Sequence, residues 1–303
     1  MKLTPAQKVT TLFGAMEIRQ KLKNILIYNF WAKRKTWEQH YGGVPLTFDT
    51  SDFYSNWWFY GFKNLTIAHE PVTTRLVIEL AKKSTCFLDL GANLGYFSVL
   101  AKKTNPSIDV LGFEMDETLD ALIKRNMALN GVDGIDIVFG AVGDGGDPLA
   151  YQPHPYSFLA KAYGEFDRAP KVELKAPIHK IDEVLAEKGL TPDLVKVDID
   201  GGEAAGLRAA TGMLENPDLV MLLELHPILL AEIGESVEAI DAMLTPYGFD
   251  YYEIDDYRDS QSITLTRKPN VKDLGGAGNP MFVVTRKDPA VLLETIKSDL
   301  VIR

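Results

Sequence analysis

Apolar positions recur with two different periods along the chain. Val9, Leu12, Phe13 and Met16, then Leu22, Ile25, Leu26 and Phe30, follow helical spacing, so residues 5–39 read as helical in two pieces. Thr4 and Pro5 suit the cap and first turn of that helix. From residue 71 helices and strands alternate. Pro71–Lys83 reads as a helix, Thr85–Leu90 as a buried strand and Gly95–Lys103 as a helix. Asp109–Phe113 reads as a strand, and Asp116–Asn130 as a helix stopped by Gly131. Asp136–Gly140, Asp193–Val197 and Asp218–Leu223 continue as strands, with helices at Ile181–Lys188, Glu203–Leu214 and Val237–Leu244. Phe249–Ile254 and Met281–Thr285 read as a closing pair of strands. This alternation predicts an α/β fold with about seven mostly parallel strands.

Two stretches fall outside the pattern. Residues 41–70 are crowded with aromatics, among them Phe53, Tyr54, Trp57, Trp58 and Phe59. Such a cluster either lines an acceptor pocket or forms a core seam. Residues 143–177 are rich in glycine and proline and read as an insertion, placed as a lid or acceptor loop. The expected layout is an N-terminal helical and aromatic extension over residues 1–70 and a main domain over 71–303.

Composition narrows the class. Apolar residues make up 46% and charged residues 24% of the 303, the balance of an ordinary globular protein. One cysteine, Cys86, rules out an internal disulfide and fits a reducing cytoplasm. No apolar run reaches the roughly 18 residues of a membrane span. The net charge of −10 argues against nucleic acid as a partner. Residues 1–40 nevertheless hold eight Lys or Arg against two acids. That basic helix suits peripheral contact with a membrane, packing on the main domain, or a homo-oligomer contact.

The strongest chemical signal is Phe87-Leu-Asp-Leu-Gly-Ala-Asn-Leu-Gly-Tyr96, a strand, a tight glycine turn and a helix start. Gly91 permits the sharp turn and Gly95 lets a ligand approach the helix. A dinucleotide loop would read G-x-G-x-x-G. Here Asn93 replaces the middle glycine, so the loop suits an uncharged linkage better than a pyrophosphate. Glu114 ends the next strand and can accept two hydrogen bonds from a ribose diol. Gly140-Ala-Val-Gly-Asp144 leaves room for an adenine, with Asp144 as acceptor for its amine. These features together point to S-adenosylmethionine.

A second constellation gathers at strand ends. Asp198, Asp200, Glu203, Glu224 and His226 all fall at or just after the fourth and fifth strands of the alternation. Ligands of open α/β sheets sit there. An alcohol nucleophile needs a base, and His226 titrates nearest working pH, with Glu224 or Glu203 to orient it or act in its place. Asp198 suits the donor's ammonium or the acceptor. No HExxH or cysteine spacing indicates a metal, and none is expected. His40, His69, His154 and His179 stand alone and read as surface or structural residues. Asp198-Ile-Asp200 also mimics the Asp-x-Asp of nucleotide-sugar enzymes, and the glycine loop mimics a nicotinamide-dependent one. A non-catalytic binding protein on the same fold is a third reading.

Over residues 70–255 the chain resembles the FkbM family of methyltransferases, of the Rossmann-like class I. The resemblance rests on Asp89-Leu-Gly-Ala-Asn-Leu-Gly95, Phe113-Glu114, Lys124-Arg-Asn-Met-Ala-Leu-Asn-Gly131 and Ala141-Val-Gly-Asp144. It rests also on Lys196-Val-Asp-Ile-Asp-Gly-Gly-Glu203 and Leu223-Glu-Leu-His226. It implies methyl transfer from S-adenosylmethionine to a hydroxyl of a sugar, glycolipid or natural product. The implied donor site comprises Asp89, Gly91, Ala92, Asn93, Gly95, Tyr96, Glu114, Met115, Ala141, Val142 and Asp144. The family usually carries Asp-x-Glu-Gly-x-Glu after the fourth strand. Here Asp200 replaces the first Glu and Gly202 stands where a larger residue is common, a departure at the acceptor pocket.

Overall fold

The structure is a computed structural model that describes residues 33–60, 69–153, 173–257, 262–273, 278–295 and 300–302. The helices expected over residues 5–32, and His154, lie outside the described residues. In chain order the strands are β1 Thr36–Tyr41, β2 Val44–Asp49, β3 Cys86–Leu90, β4 Asp109–Glu114, β5 Ile135–Phe139, β6 Ala141–Val142, β7 Leu149–Tyr151 and β8 Leu174–Ala176. They continue with β9 Ile178–His179, β10 Leu194–Val197, β11 Val220–Glu224, β12 Asp250–Ile254, β13 Ile263–Lys268, β14 Met281–Thr285 and β15 Leu300–Ile302.

Nine strands form the main sheet in the order β15-β13-β12-β14-β11-β10-β3-β4-β5. Strands β5, β4, β3, β10 and β11 pair parallel. β14 is antiparallel to both of its neighbours, β11 and β12. The chain direction of strand addition reverses between β3 and β10, which marks the switch point where ligands of such sheets bind. This is the Rossmann-like arrangement that the sequence predicts. It is larger than the expected seven strands, because β13 and β15 extend one edge. β12 and β14 are antiparallel neighbours as the sequence predicts, but the hairpin leaving β12 runs to β13.

Period-two alternation divides the interior between the two faces of the sheet. Phe87, Leu194 and Leu222 join one buried cluster with the helices Pro71–Ala81 and Tyr96–Thr104. Leu88, Val195, Val197 and Leu223 join the other, with the helices Glu203–Arg208 and Val237–Leu244. Strands β3, β10 and β11 are buried along their whole length, as parallel strands covered on both faces must be.

Two local expectations are corrected. Residues 36–39, expected as helix, begin the antiparallel hairpin β1–β2. Gly42 and Gly43, both at positive φ, form its two-residue turn, and Trp37, Leu46 and Phe48 bury its inner face. The expected helix Glu203–Leu214 breaks into Glu203–Arg208 and Thr211–Leu214. Asp182 accepts from Gly212 N (2.7 Å) and Met213 N (3.0 Å), so a separate side chain caps the second piece. In the insertion, β7 and β8 form a short antiparallel pair, and residues 154–172 lie outside the described residues.

Candidate active site

The loop from Gly91 to Gly95 crosses the switch point with three residues in the left-handed region, Gly91 (φ 89°), Asn93 (φ 49°) and Gly95 (φ 75°). Gly91 answers to the protein rather than to a ligand: a Cβ there would lie 1.9 Å from the Asp198 carbonyl oxygen. Gly95 is held by its backbone conformation and by Ile123, 3.2 Å from where a Cβ would sit. The loop's N–H groups are engaged internally. Gly91 N and Ala92 N donate to Phe113 O at 3.0 and 2.9 Å, and Gly95 N to Ala92 O at 2.7 Å. Asn93 N donates to Glu114 Oε2 at 2.7 Å, and Asp116 N to Glu114 Oε1 at 2.8 Å. Glu114 therefore ties β4 to the loop through both of its carboxylate oxygens. Asp89 is wholly buried beneath the loop, where its Oδ2 accepts from Ser98 Oγ at 2.6 Å. Burial raises its pKa, against the partial relief of Lys196 and Ser98.

The second constellation converges. His226 Nδ1 lies 2.6 Å from Glu203 Oε1. Its Nε2 faces Asp200 Oδ1 at 3.3 Å, Glu224 Oε1 at 3.6 Å and Asp198 Oδ1 at 3.7 Å. Glu203 Oε1 also accepts from Gly201 N at 3.0 Å, and Glu224 Oε1 from the Tyr257 hydroxyl at 2.7 Å. Burial by itself lowers the His226 pKa, but the Glu203 hydrogen bond and the charges of Asp198, Glu203 and Glu224 carry it up to about 9. Glu224 is raised to about 7 by burial and by the charges of Asp198 and Glu70, against Lys196 and the Tyr257 hydrogen bond.

A buried cation balances these acids. Lys196, 1% exposed, donates to Asp198 Oδ2 at 2.7 Å and packs its Nζ over the Phe97 ring. Burial would lower its pKa, but Asp198, Glu70, Asp89 and Glu224 raise it and keep it charged. Asp198, Glu224 and His226 each present one donor atom within 4.8 Å of the others, a grouping with the dimensions of a metal site. Lys196 already places a positive charge on one of the three.

Comparison with known proteins decides the family. The family model for the methyltransferase FkbM domain matches residues 89–251, more than half of the chain. The chain belongs to the FkbM methyltransferase family. Its methyl donor is accordingly S-adenosylmethionine. Solved structures similar to it include the FkbM methyltransferase from Methylobacillus flagellatus KT, at 14% identity and TM-score 0.38, covering 74% of this chain and 46% of that one. A SAM-dependent methyltransferase from Agrobacterium tumefaciens matches at 12% identity and TM-score 0.43, covering 84% of this chain and 72% of that one. TYW2 from M. jannaschii, crystallised with AdoMet, matches at 12% identity and TM-score 0.38, covering 83% and 85%. No curated protein matches the chain. Among the described residues no helix is long and apolar enough to cross a membrane.

The FkbM loop fits its donor. With the N–H groups of residues 91, 92, 93 and 95 engaged inside the protein, the loop offers little to a pyrophosphate. Gly91, Ala92, Asn93, Gly95, Glu114 and Met115 surround the carboxyl ends of β3 and β4, the place for a nucleoside. Ala141 and Val142 form β6 beside them. Two residues named from the sequence face elsewhere. Asp144 pairs with Arg208 Nε at 3.1 Å and is mostly exposed, and Tyr96 is buried among Trp37, Phe48, Trp58 and His69 with its hydroxyl on Thr74. Three residues near the site were missed from the sequence, Glu70, Lys196 and Tyr257, and Tyr54 was named there only as one of an aromatic cluster. Lys196 alone had a signal, since a lysine inside an apolar strand and even-spaced from Asp198 must share its face. His69 stacks on Trp58 at 3.7 Å, and His179 Nε2 lies 3.1 Å from Phe139 O, so both are structural.

Proposed function

We propose that the chain methylates a hydroxyl group of a sugar, glycolipid or other natural product, with His226 as the base. S-adenosylmethionine supplies an electrophilic methyl group on a sulfonium. The protein must then hold the acceptor oxygen in line and take its proton. The observation that carries the reading is the 2.6 Å contact between Glu203 and His226 Nδ1, which turns Nε2 toward the space beside Asp198, Asp200 and Glu224. A proton taken at Nε2 is stabilised by those carboxylates.

The acidic cluster around His226 suits a hydroxylated acceptor better than a polyanion. Incubating the enzyme with labelled donor and a panel of sugars, glycosides and glycolipids tests this. A methyl ether on the product is expected. Methyl transfer only to nitrogen or carboxylate acceptors would overturn the hydroxyl assignment.

A further inference from the structure

Residues 36–60 precede the matched FkbM segment, which begins at residue 89, yet they reach its donor loop. The motif Lys124–Gly131 explains how. On the helix Asp120–Asn130, Asn126 is fully buried. Its Oδ1 accepts from Asp49 N at 2.8 Å and its Nδ2 donates to Leu94 O at 2.9 Å. One side chain thus joins the end of β2 to the donor loop. Asn130, one turn on, accepts from Thr47 N at 2.9 Å and donates to Thr47 O at 2.6 Å, pairing with β2 as a neighbouring strand would. Arg125 Nε adds an ion pair with Asp49 Oδ2 at 3.0 Å. The helix Phe53–Tyr60 makes the second approach: the buried Tyr54 hydroxyl donates to Asn93 Oδ1 at 2.9 Å. Asn93 is the left-handed residue whose N–H meets Glu114.

We propose that Tyr54 and Asn126 are positioning residues for the methyl donor. They fix Asn93 and Leu94, which lie between Gly91 and Gly95 of the loop, so the N-terminal hairpin and aromatic helix form part of the cofactor site. The proposal rests on residues 89–95 being the donor loop. Asn93 bears both the Tyr54 bond on its side chain and the Glu114 bond on its backbone. Loosening the first leaves the second, and the ribose-facing carboxylate, without a rigid partner.

Calorimetric titration of the full chain with S-adenosylhomocysteine tests this. Tyr54→Phe removes one hydroxyl and should weaken binding about three- to tenfold, the scale of one lost hydrogen bond. Asn126→Ala should weaken it at least as much. Asn130→Ala cuts both bonds to Thr47, with those to Asn126 O and Lys103 Nζ, but touches no donor-loop residue. It should lower the melting temperature of the unliganded protein while leaving affinity within about twofold. Wild-type affinity in Tyr54→Phe would overturn the proposal, whether or not Asn126→Ala folds. Equal weakening in Asn130→Ala and Tyr54→Phe would also overturn it, since general loosening would then account for both. Failure of the wild-type chain to bind would instead overturn the donor-loop reading beneath it.

Discussion

Glu203 and His226 form a buried pair, with Oε1 2.6 Å from Nδ1. The carboxylate fixes which ring nitrogen faces the cluster, and its charge favours the imidazolium. Glu203→Gln keeps a hydrogen-bonding group but removes the charge and allows the wrong tautomer. It should lower turnover by about 10²-fold or more, with a smaller change in donor affinity. His226→Ala should lose as much. Full turnover in His226→Ala, measured by donor-label transfer, would remove it as the base.

The pH profile separates two candidate bases. His226 is held up at about 9 and Glu224 at about 7. With His226 as base, the rate should climb with pH until about 9. A plateau near 7 would assign the proton to Glu224. Stability should run the opposite way. Both groups have folded pKa values above their ordinary ones, so the folded protein binds more protons. The His226 contribution is complete below about 6.5, its unfolded value, and disappears as pH rises through about 9. Denaturant titrations at several pH values should show stability falling across that range, and the fall should shrink in His226→Ala.

Lys196 faces Asp198 at 2.7 Å from within a strand that is otherwise apolar. Lys196→Met leaves buried acids without their cation. It should cost about 3–5 kcal/mol of stability by denaturant unfolding. Because this ammonium already bonds Asp198, the enzyme should keep its rate after EDTA treatment and dialysis. Loss of rate restored by Mg²⁺ or Mn²⁺ would reassign Asp198, Glu224 and His226 as metal ligands.

The convergence of these acids was legible because the sheet enforces it. Asp89, Lys196, Leu222 and Glu224 share a parity along three paired strands, and β3–β10–β11 register puts Lys196 beside both Asp89 and Leu222. Local pattern located the turn after β3 for a local reason: it needs glycine. What escaped was set by tertiary contact. Tyr54 and Glu70 come from a segment whose apolar positions serve a core shared with the main domain, so no periodicity marks the two that reach the site. The β1–β2 hairpin did carry a signal, the Gly42-Gly43 pair, which the helical spacing before it obscured. Asp144 had the right place in the motif, but Arg208 arrives from a different helix and turns it aside.

The two loop glycines should respond differently to alanine. Gly91→Ala drives a Cβ toward the Asp198 carbonyl, 1.9 Å away, at a left-handed φ. Backbone must move, so the cost should be at least about 3 kcal/mol, with donor binding lost. Gly95→Ala meets only the Ile123 side chain at 3.2 Å, which can give. Its cost should stay near the 1–2 kcal/mol, roughly, of a left-handed residue. Melting curves of the two variants check the order. Equal effects would mean the loop does not lean on Asp198.

Glu114 has two duties, and a pair of substitutions separates them. Its carboxylate accepts from Asn93 N and Asp116 N and is 4% exposed. A donor ribose would draw on the same oxygens. Glu114→Ala removes everything and should weaken S-adenosylhomocysteine binding by roughly 1.5–3 kcal/mol, the worth of hydrogen bonds to a charged group. The unliganded protein should also melt lower, because two backbone N–H groups lose their acceptor. Glu114→Gln presents an amide to one of those N–H groups, so it cannot restore both bonds. If the ribose role is real, Glu114→Gln should lose donor affinity nearly as far as Glu114→Ala while recovering part of the melting temperature. Affinity equal to wild type in both variants would leave Glu114 as a brace for the loop and nothing more.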